Sequence, residues 1–165
     1  MGSNQRSQIV MSDEEITEFI NNSRTTTMAT VGADGQPHLV AMWYAVLNGE
    51  VWFETKAKSQ KVVNLKRNPT ITCLIEDGLT YDTLRGVSIE GQAEIVEDPD
   101  VLFQVGISVF ERYTAPYTEE MKPFVEQMLN KRIAVRVRPT RVRSWDHRKL
   151  GLPAMPLGGS TAPQQ

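Results

Sequence analysis

The chain has a single cysteine, Cys73, among its 165 residues, and only two histidines, His38 and His147. One cysteine closes no internal disulfide, and no Cys/His zinc set can be assembled from these residues. Cys73 lies in the β-branched, apolar run 70–75, where a small buried residue is expected. A basic excess is missing too: 18 Lys and Arg stand against 20 Asp and Glu, a net charge of −2. That balance excludes a surface built mainly to coat nucleic acid. No run approaches the roughly 20 apolar residues that cross a bilayer. Residues 1–10 lack the apolar core of a secretory signal, so the expected location is cytoplasmic. There is no G-x-S-x-G elbow, no phosphate-binding P-loop and no G-x-G-x-x-G after the first strand. The carboxylates Asp77, Asp82, Glu90 and Glu94 are scattered and define no acid–base pair. With the side chains for hydrolysis missing, chemistry falls to an organic cofactor that the protein binds and orients.

The remaining pattern is mostly β. Ser12 and Glu15 form a capping box before a helix carrying Ile16, Phe19 and Ile20. Residues 25–31 read as a strand, Asp34-Gly35 as a turn, and residues 38–47 as one long strand. Asn48-Gly49 reverses the chain into residues 50–55, giving an antiparallel meander of three strands. Ser59 is placed to cap a short helix that ends before Pro69. Strands follow at 70–75 and 85–96, with Gly91 marking a bulge or a close backbone approach. Asp98-Pro99 starts a helix, Thr118 a second, and residues 133–138 and 142–145 form the last strand. The expected fold is therefore mainly β (α+β): a six-stranded antiparallel split β-barrel with flanking helices. An N-terminal arm (1–11), a cofactor-binding barrel (12–150) and an extended tail (151–165) complete it.

Two segments bear on chemistry. Thr55, Lys56, Lys58, Ser59, Gln60 and Lys61 join a strand end to a helix N-terminus, with three lysines and two hydroxyls. Free amides and the positive helix end there suit a phosphate; the lysines equally suit a solvated turn. The second segment is His38, Leu39, Val40, Ala41 and Met42, followed by Trp43 and Tyr44. As a strand these suit core packing as well as a cofactor wall, with Trp43 and Tyr44 on opposite faces.

The order of elements, with residues 37–44, Asn48-Gly49 and 55–65, resembles the pyridoxamine 5′-phosphate oxidase-like split barrels. Within them the chain is most similar to the actinobacterial flavin/deazaflavin oxidoreductases that use coenzyme F420. The likeness runs from about Ser12 to Trp145. It implies that Ser59 and Lys61 hold a cofactor phosphate, with Gln60 standing where the oxidases carry an arginine. Lys56 and Lys58 would then meet the phosphodiester and polyglutamate tail of F420. His38 to Met42 would run along the ring, and Asn64 would stand near the phosphate. The resemblance also implies a homodimer that shares the cofactor, with Arg136, Arg138 and Arg143 as candidate contacts from the second subunit. The reaction implied is hydride transfer to a conjugated small-molecule acceptor, with Tyr44 or Tyr81 as a candidate proton donor and no catalytic side chain assigned. An FMN-dependent oxidase or reductase on the same fold is the alternative. So are a non-catalytic carrier of F420, haem or a tetrapyrrole, and a ligand-free stress protein.

Overall fold

The capping box forms as the sequence predicts, and it starts the first long helix of the computed structural model, in which residues 4–158 are described. The Ser12 hydroxyl accepts from the Glu15 amide, while the Glu15 carboxylate accepts from the Ser12 amide at 2.6 Å. After a short α1 (Gln5–Gln8), helix α2 spans Asp13–Asn22. The strands are β1 (Thr26–Val31), β2 (Pro37–Met42), β3 (Ala45–Leu47), β4 (Glu50–Lys56), β5 (Thr70–Asp77), β6 (Arg85–Val96) and β7 (Arg132–Asp146). Helix α3 (Gln60–Arg67) separates β4 from β5, while α4 (Pro99–Tyr113) and α5 (Lys122–Met128) precede β7. The seven strands join in the order β2-β1-β5-β6-β7-β4-β3. This is an antiparallel α+β split barrel, with seven strands where six were expected.

The extra strand comes from a break. The long strand expected over 38–47 divides at Trp43-Tyr44 into β2, which pairs with β1, and β3, which pairs with β4. The expected three-stranded meander is therefore not formed. Instead β2 and β3 occupy the two ends of the strand order, so two residues of one segment link both edges of the sheet. No β2 residue is buried, which corrects the expectation that this strand lines a core. The final strand is continuous through Pro139-Thr140-Arg141 rather than interrupted.

The chain divides into two compact units. The larger comprises residues 24–74 and 89–141. Its core includes Met28, Tyr44, Phe53, Val62, Ile71, Val105 and Val135, each fully buried. Cys73 is buried as expected, and its thiol is pushed up to about 12 by desolvation. Helix α4 lays Val105 and Val109 on Ala45, Trp52 and Ala134. Gly91 is the close-approach position its place in β6 suggests: a Cβ there would lie 2.3 Å from the Arg138 carbonyl oxygen.

The smaller unit comprises residues 1–23, 75–88 and 142–165; of these, 1–3 and the tail residues 159–165 lie outside the described residues. Within the expected N-terminal arm, Met11 is buried and the Ile9 carbonyl accepts from the Asp146 amide at 2.7 Å. Residues 151–158 of the expected tail form no regular element. Two aspartates organise the unit. Asp146, 7% exposed in its side chain, accepts from Arg148 at 2.6 Å, and Asp77 accepts from Arg85 at 2.6 Å. Hydrogen bonds from these arginines hold both carboxyls below the ordinary range, helped by backbone donors. A depressed carboxylate contributes stability in full above its unfolded value, and that contribution is lost as pH falls through the folded value. The expected result is loss of structure around Trp145 below about pH 4. Tryptophan fluorescence followed through an acid titration checks this, with a shallower acid limb expected for Asp146→Asn.

Candidate functional site

The basic segment after β4 is built around a tight turn. The Ser59 amide donates to the Lys56 carbonyl at 2.9 Å, and the Ala57 amide to the Lys131 carbonyl at 3.0 Å. Helix α3 then starts, with the Val63 amide donating to the Ser59 carbonyl at 3.1 Å. The preceding amides of Gln60, Lys61 and Val62 belong to the first turn, which an α-helix leaves without intrahelical acceptors. Ser59 was expected to cap them. Its side chain makes no capping bond; instead Ser59 Oγ is covered and has no hydrogen-bond partner among the described residues. A covered hydroxyl without a partner is costly, and a ligand atom or a water could supply the missing hydrogen bond.

Charge gathers around this turn. Lys56 and Lys58 are exposed, and Lys61 is half-buried. In the antiparallel register Lys56 faces Arg132, the first residue of β7. Desolvation, and then the Arg132 charge, lowers the Lys61 pKa. Arg132 is itself paired with Glu54 at 2.7 Å, a mostly buried carboxylate whose pKa desolvation raises against the pull of that arginine. Three lysines of one turn, with Lys131 and Arg132 alongside, thus sit beside one partly neutralising acid. The fold bears a cost for that arrangement, which an anion would relieve. The sequence pattern singles out Arg136, Arg138 and Arg143 and gives no local signal for Lys131 and Arg132. The signal that finds them is the pairing register of β4 with β7.

Thr55 is buried in β4, with its side chain directed away from solvent. Gln60 and Asn64 are committed to each other: Gln60 Nε2 donates to Asn64 Oδ1 at 2.9 Å. Asn64, fully buried, donates to Thr30 Oγ1 at 3.0 Å and so fastens α3 to β1. Arg67 adds a 2.7 Å bond to the Val31 carbonyl. Asn64 thus positions the helix.

The β2 residues sort by register. His38, Val40 and Met42 oppose Thr30, Met28 and Thr26, the buried positions of β1, and directly opposed residues share a face. Leu39 and Ala41 oppose Ala29 and Thr27 on the other face, where Leu39 is 63% exposed. His38 Nδ1 is a second covered polar atom without a partner among the described residues.

Other candidates are engaged elsewhere. Arg136 holds Glu50 with bonds of 2.7 and 2.9 Å, and Arg138 holds Glu94 at 2.6 Å. Tyr44 is fully buried with the Arg112 guanidinium 4.5 Å from its ring, and desolvation pushes its phenol up to about 12. Tyr81 belongs to the smaller unit, stacked edge-on against His147, whose Nδ1 lies 2.8 Å from the Tyr81 carbonyl. That unit also carries an open cleft of about 540 Å³ lined by Asp77, Leu79, Arg85, Arg148, Met155 and Leu157. Its arginines already hold aspartates. Among the described residues no group of three or more His, Cys, Asp and Glu is placed to hold a metal ion, and no helix is long and apolar enough to cross a membrane.

Comparison with known proteins agrees with the split-barrel fold. The conserved hypothetical protein Rv2991 from Mycobacterium tuberculosis is similar over 97% of this chain and 100% of its own, at 67% identity and a TM-score of 0.94. An F420 reductase is 31% identical over 76% of this chain and 93% of its own, with a TM-score of 0.58. The heme storage protein HutZ from Vibrio cholerae shares the fold at 19% identity, with a TM-score of 0.64 over 82% of this chain and 97% of its own. No curated protein gives a significant match. The family model described as pyridoxamine 5′-phosphate oxidase matches residues 12–146, the same stretch that carries the barrel strands and the basic turn, and the chain belongs to that family.

Proposed function

We propose that the chain is an oxidoreductase that binds the deazaflavin coenzyme F420 and passes hydride to a conjugated organic acceptor. The observation that carries the reading is the α3 N-terminus: a covered, unpartnered Ser59 hydroxyl in the same turn as Lys56, Lys58 and Lys61. A phosphate there takes up the hydroxyl, the first-turn amides and the lysine charges together. Family membership supports a flavin-type cofactor. Similarity to an F420 reductase, and a glutamine at position 60 where the oxidases' phosphate grip has arginine, favour the deazaflavin over FMN. When bound, reduced F420 supplies the hydride. The protein's own residues bind and orient. β2 is terminal in the strand order, so one row of its backbone groups is free to hydrogen-bond a ring edge, and the covered His38 Nδ1 lies on the same strand. Leu39 and Ala41 present an apolar outer face, which suits a cofactor ring and a second copy of the chain in a homodimer.

Titrating purified protein with F420 and with FMN, followed by cofactor fluorescence, tests the reading. The expected result is F420 binding at least about tenfold tighter than FMN binding. Preference for FMN moves the protein to an FMN-dependent oxidase or reductase. Binding of neither overturns the cofactor assignment. Sedimentation of the same sample is expected to give a dimer.

A further inference from the structure

We infer that Glu54 decides which kind of phosphate the basic turn accepts: by holding the Arg132 charge it disfavours a phosphomonoester dianion, as on FMN, relative to a phosphodiester monoanion, as in F420. The inference deepens the deazaflavin reading and rests on it for the identity of the cofactor, but not for the effect of charge. In β4, Glu54 stands two residues before Lys56, so both side chains share one face. Across the ladder Lys56 opposes Arg132, and the Ala57 amide donates to the Lys131 carbonyl at 3.0 Å. Arg132 therefore starts β7 directly beside the turn, and its charge is felt at Lys61. Its Nη1 donates to Glu54 Oε2 at 2.7 Å. The Glu54 side chain is 11% exposed, against 30% for that of Arg132. Glu50 and Glu94 serve Arg136 instead, about 13 Å further along the strand.

An arginine thus stands at the turn although Gln60 occupies the place where the oxidases' phosphate grip has one, and the fold neutralises it. Burial works against ionisation of Glu54, with Arg132 holding the charge in place, so the acid is kept there at a cost that an exposed pair would not carry. A site shaped for a dianion gains most from a free guanidinium, whose fork meets two phosphate oxygens at once. Here that group is tied to a carboxylate, and the ligand is left to lysines, which act as point charges. The energy between two charges is proportional to each of them. Loss of the Arg132 charge to Glu54 therefore costs a dianion twice what it costs a monoanion, and that difference is selectivity.

The test is fluorescence titration of wild type, Glu54→Gln and Glu54→Ala with FMN, riboflavin and F420, at low salt and about pH 8, where a phosphomonoester is a dianion. Riboflavin has the FMN ring without its phosphate. Either substitution is expected to lower the FMN Kd about tenfold and the F420 Kd about threefold, the square root expected for half the charge, with riboflavin within about twofold. The double variant Glu54→Gln/Arg132→Gln, which removes both charges of the pair, is expected to lose the gain. Thermal melting of each preparation shows that the variants compared are folded. Equal changes for FMN and F420, no change for either, or a gain that survives in the double variant overturns the inference. A wild type that prefers FMN, with the preference increased by Glu54→Gln, removes the deazaflavin reading and keeps the role of Glu54. A wild type that prefers F420, with the preference unmoved by Glu54→Gln, does the reverse. Binding of no cofactor by any of the proteins overturns both.

Discussion

Replacing Lys56 and Lys61 together with alanine is expected to weaken F420 binding at least about 100-fold without lowering the melting temperature. Each charge-assisted contact to a phosphate contributes about 1.5–3 kcal/mol, so losing two costs two orders of magnitude or more. The stability half of the prediction comes from Lys61. Its pKa is lowered because burial and the neighbouring Arg132 both disfavour the ammonium. A cation disfavoured by the fold adds nothing to stability at neutral pH, and its removal relieves repulsion. A structural lysine would behave the other way, with binding and melting temperature falling together. Fluorescence titration and thermal melting of the same preparation separate the two cases. Wild-type affinity is also expected to fall with added salt, since Lys56 is exposed, whereas the double variant responds weakly.

Gly91→Ala is expected to destabilise the protein by about 3 kcal/mol, near the upper end for overpacking. That corresponds to roughly 6–12 °C in melting temperature for a chain of this size. The added methyl would lie 2.3 Å from the Arg138 carbonyl oxygen and 3.3 Å from the Pro139 Cα. Both are backbone atoms of β7, and neither can rotate aside. Gly106→Ala is the matched control. Its methyl would meet Leu129 Cδ1 at 2.6 Å, the far end of a side chain with other rotamers, so a loss of about 1 kcal/mol or less is expected. Equal losses for the two variants would show that the β6–β7 contact yields more easily than its geometry suggests.

What the sequence made legible follows from how local each signal is. The capping box of α2 and the turns at Asp34-Gly35 and Asn48-Gly49 lie within four residues, and all form where the pattern places them. The break at Trp43-Tyr44 was not legible, because both residues favour strands and no glycine or proline marks the change. It results from pairing: β2 hydrogen-bonds to β1 and β3 to β4, and a short-range pattern does not specify those partners. The same limit hid Lys131 and Arg132, which reach the basic turn only through the register of β4 with β7. Ser59 failed differently. Its sequence position is that of a cap, but its hydroxyl is covered and not used by the helix. Local preference and observed geometry disagree there, at the residue on which the functional reading depends.

The order of strands also has a consequence for synthesis of the chain. β4 has β3 on one side and β7 on the other, and the Arg136–Glu50 pair that crosses β4 and β7 joins residues 86 positions apart. On a ribosome, β4 emerges long before its second neighbour exists. Until then one side of an apolar strand, with Val51, Trp52 and Phe53 destined for burial, is open to pairing with other chains. Slower translation ahead of β7 would lengthen that exposure and raise the share of nascent chains lost to aggregation.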